Sequence, residues 1–296
     1  MAADGFLNLL TPPGMTSHDA AAWLRRSAGT AVGHAGTLDR AAAGVLVLCV
    51  GKARRFSRWA MEGDKVYVGE VAFGITTDTL DAEGAVTGEC DASDLTEPQV
   101  AQALAAFEGE IEQRAPAYSA VHAGGVRLYQ LARQGRTPPC RTRRVRIMSA
   151  RVLDFMPGRH PRARIAIECS KGTYIRSLAA DLGDAVGCGG CLSFLVRTRA
   201  GAFDIADSLT VEQAQRALEQ GRLQDMLSAL DTPLQALPAL TLEAREANLL
   251  RHGRVVLVPA LRGASGWIRM YDRAGSFIGL GEVEGEQLRP RVVVAE

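Results

Sequence analysis

An apolar run directly behind a glycine-rich loop is the feature that most constrains the fold of this chain. Residues 44–50 read Gly-Val-Leu-Val-Leu-Cys-Val, which is typical of a strand buried in a hydrophobic core. The loop before it, residues 33–39, reads Gly-His-Ala-Gly-Thr-Leu-Asp and ends in the carboxylate of Asp39. A carboxylate beside a buried strand is costly unless a partner stabilises it. We therefore expect a later segment to supply that partner, and residues 171–176 carry a candidate in Arg176.

Taken alone, the loop leaves the role of Asp39 open. Gly33 and Gly36 permit a tight turn and a close approach of the backbone to a ligand. An ionised Asp39 suits a nucleophile or a general base, because both roles need a carboxylate held near a reacting atom. The same residue also suits a turn or the N-cap of a helix. Other segments have to decide between these interpretations.

Charged residues are segregated along the chain, although the net charge is only +1. Residues 75–112 hold ten acidic residues and neither lysine nor arginine, whereas residues 123–165 hold eleven arginines and the single acid Asp154. Such a basic stretch predicts a surface that faces a polyanion, with nucleic acid as the first candidate. The alternative is a solvated face in an arginine-rich chain, since only three lysines occur.

Hydrophobic periodicity and capping signals predict a mixture of strands and helices, followed by a second, mostly β unit. Strands are expected over residues 6–10, 44–50, 66–73, 144–155 and 163–169. Helices are expected after Thr16 or Ser17, over 52–59, from Thr96 to Gly109, from a Thr173 cap to Val186, and over 211–219. Beyond a linker marked by Pro233 and Pro238, short strands are expected over 255–258, 267–270, 276–280 and 291–294.

The cysteines fit a chain that works in a reducing cytoplasm. Six cysteines stand scattered along the sequence. Cys188 and Cys191 form a single C-x-x-C, which we interpret as a turn rather than a redox or zinc site because no second such pair occurs. We expect no metal site. The apolar runs are short, and a membrane span needs about 20 residues, so we expect neither a span nor a secretory leader.

Four segments, taken together, resemble the TruB family of tRNA pseudouridine synthases, which isomerise uridine 55 in the T-loop. They are the Asp39 loop, the strand around Tyr67, residues 170–176 (Ser-Lys-Gly-Thr-Tyr-Ile-Arg) and residues 194–197 (Phe-Leu-Val-Arg). Further likeness lies in residues 14–19, 64–67, 117–120 and 125–135. Residues 277–281 are similar to part of the PUA domain that follows the catalytic domain in this family. The resemblance spans the chain almost end to end.

The resemblance implies a catalytic set of three residues. Asp39 matches the catalytic aspartate, Tyr67 matches the tyrosine that stacks on the flipped uracil, and Arg176 matches the arginine that pairs with the aspartate. An arginine beside Asp39 would favour its charged form. Whether Asp39 attacks C1′ or removes a sugar proton on a glycal-like path stays open. Tyr67 is also a candidate base for the final C5 proton, although its phenol would need local help at neutral pH.

The resemblance also implies a substrate-binding set. Tyr174 and Leu195 match positions that line the uridine pocket, and His34 matches the histidine that fills the space the flipped base leaves in the RNA. Pseudouridylation breaks the N1–C1′ bond, rotates the uracil and forms a C5–C1′ bond without a redox change, so neither cofactor nor metal is expected. Flipping is less costly in a loop than in a duplex, and aromatic stacking returns about 1–3 kcal/mol per base.

Two departures from the family pattern lie near this site. Residues 10–12 read Leu-Thr-Pro where the family usually has Asp-Lys-Pro, so a lysine available for RNA contact is missing. Arg40 stands where the family usually has a proline, which removes a fixed φ angle and adds a positive charge next to Asp39. Arg40 would contact a phosphate or change how Asp39 is held.

Together these observations predict an α+β enzyme of two domains. A catalytic domain of the pseudouridine synthase type, with a mixed and largely antiparallel sheet, is expected over residues 1–235, and a small, mostly β, PUA-like RNA-binding domain over 236–296. Residues 75–150 are expected to grip the T-arm of tRNA. We expect a cytoplasmic monomer with no obligatory protein partner. Two alternatives stay open, namely a tRNA-folding chaperone without turnover and a guide-RNA-dependent synthase that modifies ribosomal RNA.

Overall fold

The structure is a computed structural model that describes residues 3–116, 122–123, 126–127 and 142–294. The family-like segment 117–120, most of the segment 125–135, and Arg141 of the basic cluster lie outside the described residues. None of the helices within the described ranges has the length and apolar character needed to cross a membrane.

The described residues form helices and strands in alternation. The α-helices are α1 (Ser17–Ala28), α2 (Ser57–Glu62), α3 (Glu97–Ala105), α4 (Ile175–Ala185), α5 (Val211–Glu219) and α6 (Ala244–Arg251). The strands up to the middle of the chain are β1 (Gly5–Thr11), β2 (Val32–His34), β3 (Ala43–Val50), β4 (Lys65–Phe73), β5 (Ile75–Thr77), β6 (Val86–Glu89), β7 (Gly109–Arg114), β8 (His122–Ala123) and β9 (Val126–Arg127). The later strands are β10 (Thr142–Met156), β11 (Arg162–Cys169), β12 (Gly190–Ala200), β13 (Phe203–Asp204), β14 (Leu209–Thr210), β15 (Ala239–Leu242), β16 (Val256–Leu257), β17 (Ser265–Asp272), β18 (Phe277–Glu284) and β19 (Gln287–Val293).

The larger sheet confirms the predicted mixed, largely antiparallel architecture. Its strands follow the order β14-β1-β3-β12-β4-β11-β10-β7, with β2 paired to β3 and β13 paired to β12. Within the part of the chain that the structure describes, the parallel pairs of this sheet are β1 with β14 and β3 with β12. Strand β4 lies between β12 and β11 and alternates buried and half-buried side chains along its length, because one face of it packs against α4.

A second sheet carries the C-terminal part of the chain, as the short apolar runs predict. Its strands follow the order β15-β17-β18-β19-β16. The turn between β17 and β18 closes with a hydrogen bond from the Gly275 N–H to the Asp272 carbonyl (3.0 Å), as expected for a hairpin. Strand β15 was not expected, because its four residues lie directly behind Pro238 and pair in parallel with β17, a long-range contact without a local sequence signal.

Aromatic residues join the two sheets. Phe56 directly precedes α2 and Trp59 lies within it, whereas Trp267 lies on β17 and Phe277 on β18. The Trp59 and Trp267 rings meet edge to face at 5.3 Å between centroids, and Phe56 lies 5.6 Å from Phe277. Aromatic pairs at this spacing contribute about 0.5–1.5 kcal/mol beyond their buried area. The C-terminal sheet is therefore packed on the first part of the chain rather than tethered to it.

Helix starts follow the sequence signals in three of the predicted places. Thr16 caps α1 by accepting a hydrogen bond from the Asp19 N–H (3.1 Å). Capping boxes open α3 at Thr96 and α5 at Thr210. Each box satisfies backbone N–H groups that have no partner inside the helix.

Three helix boundaries differ from prediction. Residues 51–56 form a 3-10 turn before α2, because the Lys52 N–H is held by Asp4 (2.7 Å) at the end of β3. Helix α3 ends at Ala105, and Gly109 begins β7 instead of ending the helix, since its φ of +103° leads into the strand. The Thr173 hydroxyl donates to the Ser170 carbonyl (2.9 Å), so it does not cap α4, and Tyr174 occupies the N-cap position.

Gly44 marks the closest approach of β3 to β12, and it yields the first prediction. Its φ is +117°, and a Cβ atom there would lie 2.2 Å from the carbonyl oxygen of Arg197. Gly44→Ala is expected to lower the free energy of unfolding by about 3 kcal/mol or more, because strain and a backbone clash add. Gly266→Ala is the control, since Gly266 has a φ of +97° but open space around it. We expect the control to cost about 1–2 kcal/mol in urea unfolding. If both variants lost the same free energy of unfolding, a backbone clash at Gly44 would be contradicted.

Candidate active site

The structure brings Asp39 and Arg176 together, as the sequence predicts. Arg176 is the second residue of α4, and its Nε donates to Asp39 Oδ2 at 2.9 Å. The Arg176 side chain is 7% exposed, whereas that of Asp39 is 45% exposed. The guanidinium therefore fixes one carboxylate oxygen of Asp39 from the protein side, while the carboxylate stays open to a ligand from solvent.

A second carboxylate, which sequence reasoning missed, shares the same guanidinium. Arg176 Nη1 lies 3.4 Å from Asp81 Oδ2 and donates to the Thr79 carbonyl at 3.2 Å. Asp81 is itself held by the Thr79 hydroxyl and by the Glu83 N–H (3.1 Å). Asp81 sits in the acidic stretch, where its only local signal is a turn sequence, Asp-Ala-Glu-Gly. That signal predicts a turn and says nothing about a distant arginine.

The turn that leads into α4 is held from the neighbouring strands. The Gln113 side-chain amide, on β7, donates to the Tyr174 carbonyl (2.9 Å) and accepts from the Tyr174 N–H (2.7 Å). Arg143, on β10, donates to the Tyr174 hydroxyl (3.1 Å) and lies 4.6 Å from the centre of its ring. A second Arg143 nitrogen donates to the Gly172 carbonyl (3.1 Å). These contacts place Tyr174 at the rim of the site and orient the first turn of α4.

Arg197 anchors the loop that carries Asp39. Its side chain is buried, with 2% of the residue exposed. Its guanidinium donates to the carbonyls of Val45 (2.8 Å), Thr37 (3.2 Å) and Gly36 (3.3 Å). Sequence reasoning noted Arg197 only as the end of a family-like segment. Two of these carbonyls lie in the Asp39 loop and the third lies in β3, so Arg197 ties the loop to the strand and helps to fix the position of Asp39 through the backbone.

Tyr67 is the third residue of β4, and it lies opposite Ile167 on one neighbouring strand and Arg197 on the other. It packs in the same apolar cluster as Leu38 and Leu195, and only 9% of it is exposed. Burial raises the pKa of the Tyr67 phenol, although the neighbouring Arg197 charge acts in the opposite direction. A phenol with a raised pKa is neutral at pH 7, so the unliganded protein does not hold Tyr67 as a base.

His34 is half-buried at the end of β2, and its Nδ1 has no hydrogen-bond partner among the described residues. Burial lowers the pKa of the His34 imidazole, and the positive charge of Arg197 lowers it further. A lowered pKa keeps this imidazole neutral at pH 7.

A cleft of about 50 Å³ opens beside the Asp39–Arg176 pair. Its lining comes from four parts of the chain, namely the segment that begins at Asp39, the turn of Asp81, Arg176 on α4, and the β12 stretch that includes Leu195. Tyr67 belongs to the same apolar cluster as Leu195, whereas His34, Tyr67 and Tyr174 are not among the residues that line the cleft. The cleft is open to solvent beside the Asp39 carboxylate, so a ligand can approach that carboxylate from outside.

The fold and the carboxylate–guanidinium pair define an enzyme of the pseudouridylate synthase class. Family descriptions match almost the whole chain: "TruB family pseudouridylate synthase (N terminal domain)" over residues 25–175, "tRNA pseudouridylate synthase B C-terminal domain" over 176–235, and "Pseudouridine synthase II TruB, C-terminal" over 238–294. The chain belongs to the TruB family of pseudouridylate synthases.

Similar chains agree with this assignment. The tRNA pseudouridine synthase B of Symbiobacterium thermophilum is 48% identical over 260 residues, which is 88% of this chain and 84% of the relative. That of Synechococcus elongatus is 41% identical over 300 residues, covering 100% of this chain and 99% of the relative. A chain from an H/ACA RNP bound to a substrate RNA containing 2′-deoxyuridine shares the fold, with a TM-score of 0.75, 23% identity, and coverage of 99% of this chain and 85% of its own.

The shared guanidinium generates the second prediction. Asp81→Asn removes one of the two carboxylates that hold Arg176, so we expect kcat for RNA isomerisation to fall at least about tenfold while RNA affinity changes less than about twofold. Asp78→Asn, in the same turn, is the matched control, because Asp78 accepts from the Ala85 N–H and an amide oxygen can do the same. An Asp81→Asn enzyme with the kcat of the control would show that Arg176 needs only Asp39.

Proposed function

We propose that this chain isomerises uridine 55 in the T-loop of tRNA to pseudouridine. The observation that carries the proposal is the buried Arg176 guanidinium, which fixes one oxygen of Asp39 and leaves the carboxylate open to the cleft. Family membership and the names of the similar chains support the reaction class and tRNA as substrate. The position within the tRNA and the roles of individual residues are part of the proposal.

The proposed reaction is balanced without any cofactor. The N1–C1′ bond of the target uridine breaks, the uracil rotates, and a C5–C1′ bond forms. The C5 proton then leaves and N1 gains a proton. Asp39 acts at the sugar, either by attack on C1′ or by removal of a sugar proton, and both routes need a carboxylate aimed at the ribose. Arg176 supports either route, because it keeps the carboxylate in one orientation.

Tyr67 is proposed to stack on the flipped uracil as a neutral ring. Tyr67 belongs to the same apolar cluster as Leu195, which lines the cleft, and this supports the role. Burial raises the pKa of the Tyr67 phenol, which makes the phenol less readily deprotonated and so less suited to act as the final base in the unliganded protein. Deprotonation of C5 by Tyr67 would therefore require the bound RNA to change the surroundings of the phenol.

Two regions are proposed to hold the RNA around the site. Residues 75–150 would grip the T-arm, which the outward arginines of β10 support, since the Arg144 side chain is 80% exposed. Residues 236–296 would form the PUA-like RNA-binding domain, and the boundary with the catalytic domain would lie at about residue 235. His34, Tyr174 and Leu195 would contact the target region. We propose a monomer in the cytoplasm without an obligatory protein partner.

Tritium release tests the reaction directly, and this is the third prediction. T-arm RNA labelled with tritium at C5 of uridine must lose the label when C5 becomes bonded to C1′. We expect release by the wild type, and a loss of at least about a thousandfold in both Asp39→Ala and Asp39→Asn, because neither side chain can act as nucleophile or base. Asp184→Asn is the control, since Asp184 is exposed near the other end of α4.

Each outcome of this assay separates the proposal from its alternatives. Tight RNA binding without release by the wild type would overturn the proposed reaction on this substrate. A folding chaperone would then be favoured if added guide RNA and ribosomal RNA also gave no release. Release only in the presence of a guide would favour the guide-dependent synthase.

A further inference from the structure

Gln113 makes an unusual pair of hydrogen bonds to the backbone of a single residue. Its side-chain amide lies in the core and is 0% exposed. The amide donates to the Tyr174 carbonyl at 2.9 Å and accepts from the Tyr174 N–H at 2.7 Å. The side chain thus imitates one rung of a β-ladder, and it attaches strand β7 to the residue at which α4 begins.

The start of α4 depends on this pairing. Tyr174 is the N-cap, and its side chain makes no capping hydrogen bond. The Tyr174 carbonyl also accepts the first helical bond, from the Leu178 N–H at 3.1 Å. Strand β7 adds one more attachment, because the Ser177 hydroxyl donates to the Arg114 carbonyl at 2.8 Å. Two contacts from the same strand therefore bracket the first turn of α4.

Arg176 lies inside this bracket, between Tyr174 and Ser177. Its guanidinium must reach Asp39 (2.9 Å) and Asp81 (3.4 Å) at once, so a small rotation of the first helical turn would lengthen one of the two contacts. Misplacement by about 1 Å is enough to cost an enzyme about a hundredfold in rate. Gln113 cannot contact RNA, since it has no exposed surface.

We propose that Gln113 is a positioning residue for the reaction: it sets the rotation of the first turn of α4 and thereby aims Arg176 at Asp39. This inference rests on the proposed isomerase function and deepens it. It implies that a change at Gln113 affects kcat but not KM. Disturbing Gln113 lowers kcat, because the carboxylate is held less well, and leaves KM for the RNA unchanged, because the RNA-contacting surface is intact.

The exchange Gln113→Glu offers a test that a purely structural role would not pass. A protonated glutamic acid has the shape of glutamine, with one O–H donor for the Tyr174 carbonyl and one C=O acceptor for the Tyr174 N–H. An ionised carboxylate has no donor and repels that carbonyl. Burial raises the pKa of such a carboxyl above its usual value of about 4.3. The variant is therefore wild-type-like at low pH and impaired at high pH.

The experiment measures kcat and KM for tritium release from T-arm RNA between about pH 5.5 and 8.5, as ratios to the wild type at each pH. We expect the kcat ratio of Gln113→Glu to be near one at the low end and to fall at least about tenfold at the high end, with KM constant within about twofold. Gln113→Leu, which lacks both bonds, is expected to have a low kcat ratio at every pH.

Gln213→Glu is the matched control. Gln213 uses its side-chain oxygen to accept from the Thr210 N–H (2.8 Å) in a capping box, and glutamate serves there equally well. Its kcat ratio is expected to be one throughout. A flat ratio for Gln113→Glu, a change confined to KM, or loss of the native circular dichroism spectrum at the low end of the range would overturn the proposal. If neither the wild type nor the Gln213→Glu control released tritium, the proposed function itself would be overturned.

Discussion

The site depends on one buried positive charge shared by two carboxylates. Arg176 is almost fully enclosed, and an enclosed guanidinium is tolerated only when charged or polar acceptors surround it. Asp39, Asp81 and the Thr79 carbonyl provide these acceptors from two separate loops. The same charge that must be neutralised for the protein to fold also fixes the orientation of the exposed carboxylate. Stability and reactivity are therefore properties of a single cluster.

Two buried polar side chains hold the backbone segments from which Asp39 and Arg176 extend. Arg197 donates to carbonyls of the Asp39 loop and of β3, and Gln113 bonds the backbone at the start of α4. Both act on the main chain, so they fix the positions from which Asp39 and Arg176 extend. Such support from rigid elements is what keeps a reactive pair within a fraction of an ångström of its working geometry. The carboxylate of Asp39 is thus held in one orientation in the protein without RNA, and it faces the open cleft.

Local sequence patterns were sufficient for one half of this arrangement. The apolar run of β3 and the glycine-rich loop pointed to Asp39, and the segment ending in Arg176 supplied its expected partner, which the structure confirms. Helix α1 and the hairpin between β17 and β18 follow from capping and turn residues, because those signals act over a few positions.

The missed parts depend on contacts between distant residues. Asp81 reads as one acid in a solvated stretch, and its partner lies on a helix far along the chain. Gln113 lies in a segment for which the sequence predicts no strand, and its amide is buried against Tyr174. The start of α4 was placed one residue early, because Thr173 is the better local cap but its hydroxyl is used by Ser170. In each case a tertiary contact outweighs the local preference.

The most direct test of the account is a crystal structure of the protein with T-arm RNA that carries 5-fluorouridine at the target position. Fluorine stands in place of the C5 hydrogen, so the final deprotonation at C5 cannot take place. The RNA is therefore expected to stay bound at the site. The account predicts a flipped base beside Tyr67 and Leu195, an Asp39 oxygen at contact distance from the ribose, about 3–3.5 Å, and Arg176 still bonded to Asp39. A target base that stays stacked in the RNA, or an Asp39 turned away from the ribose, would contradict it.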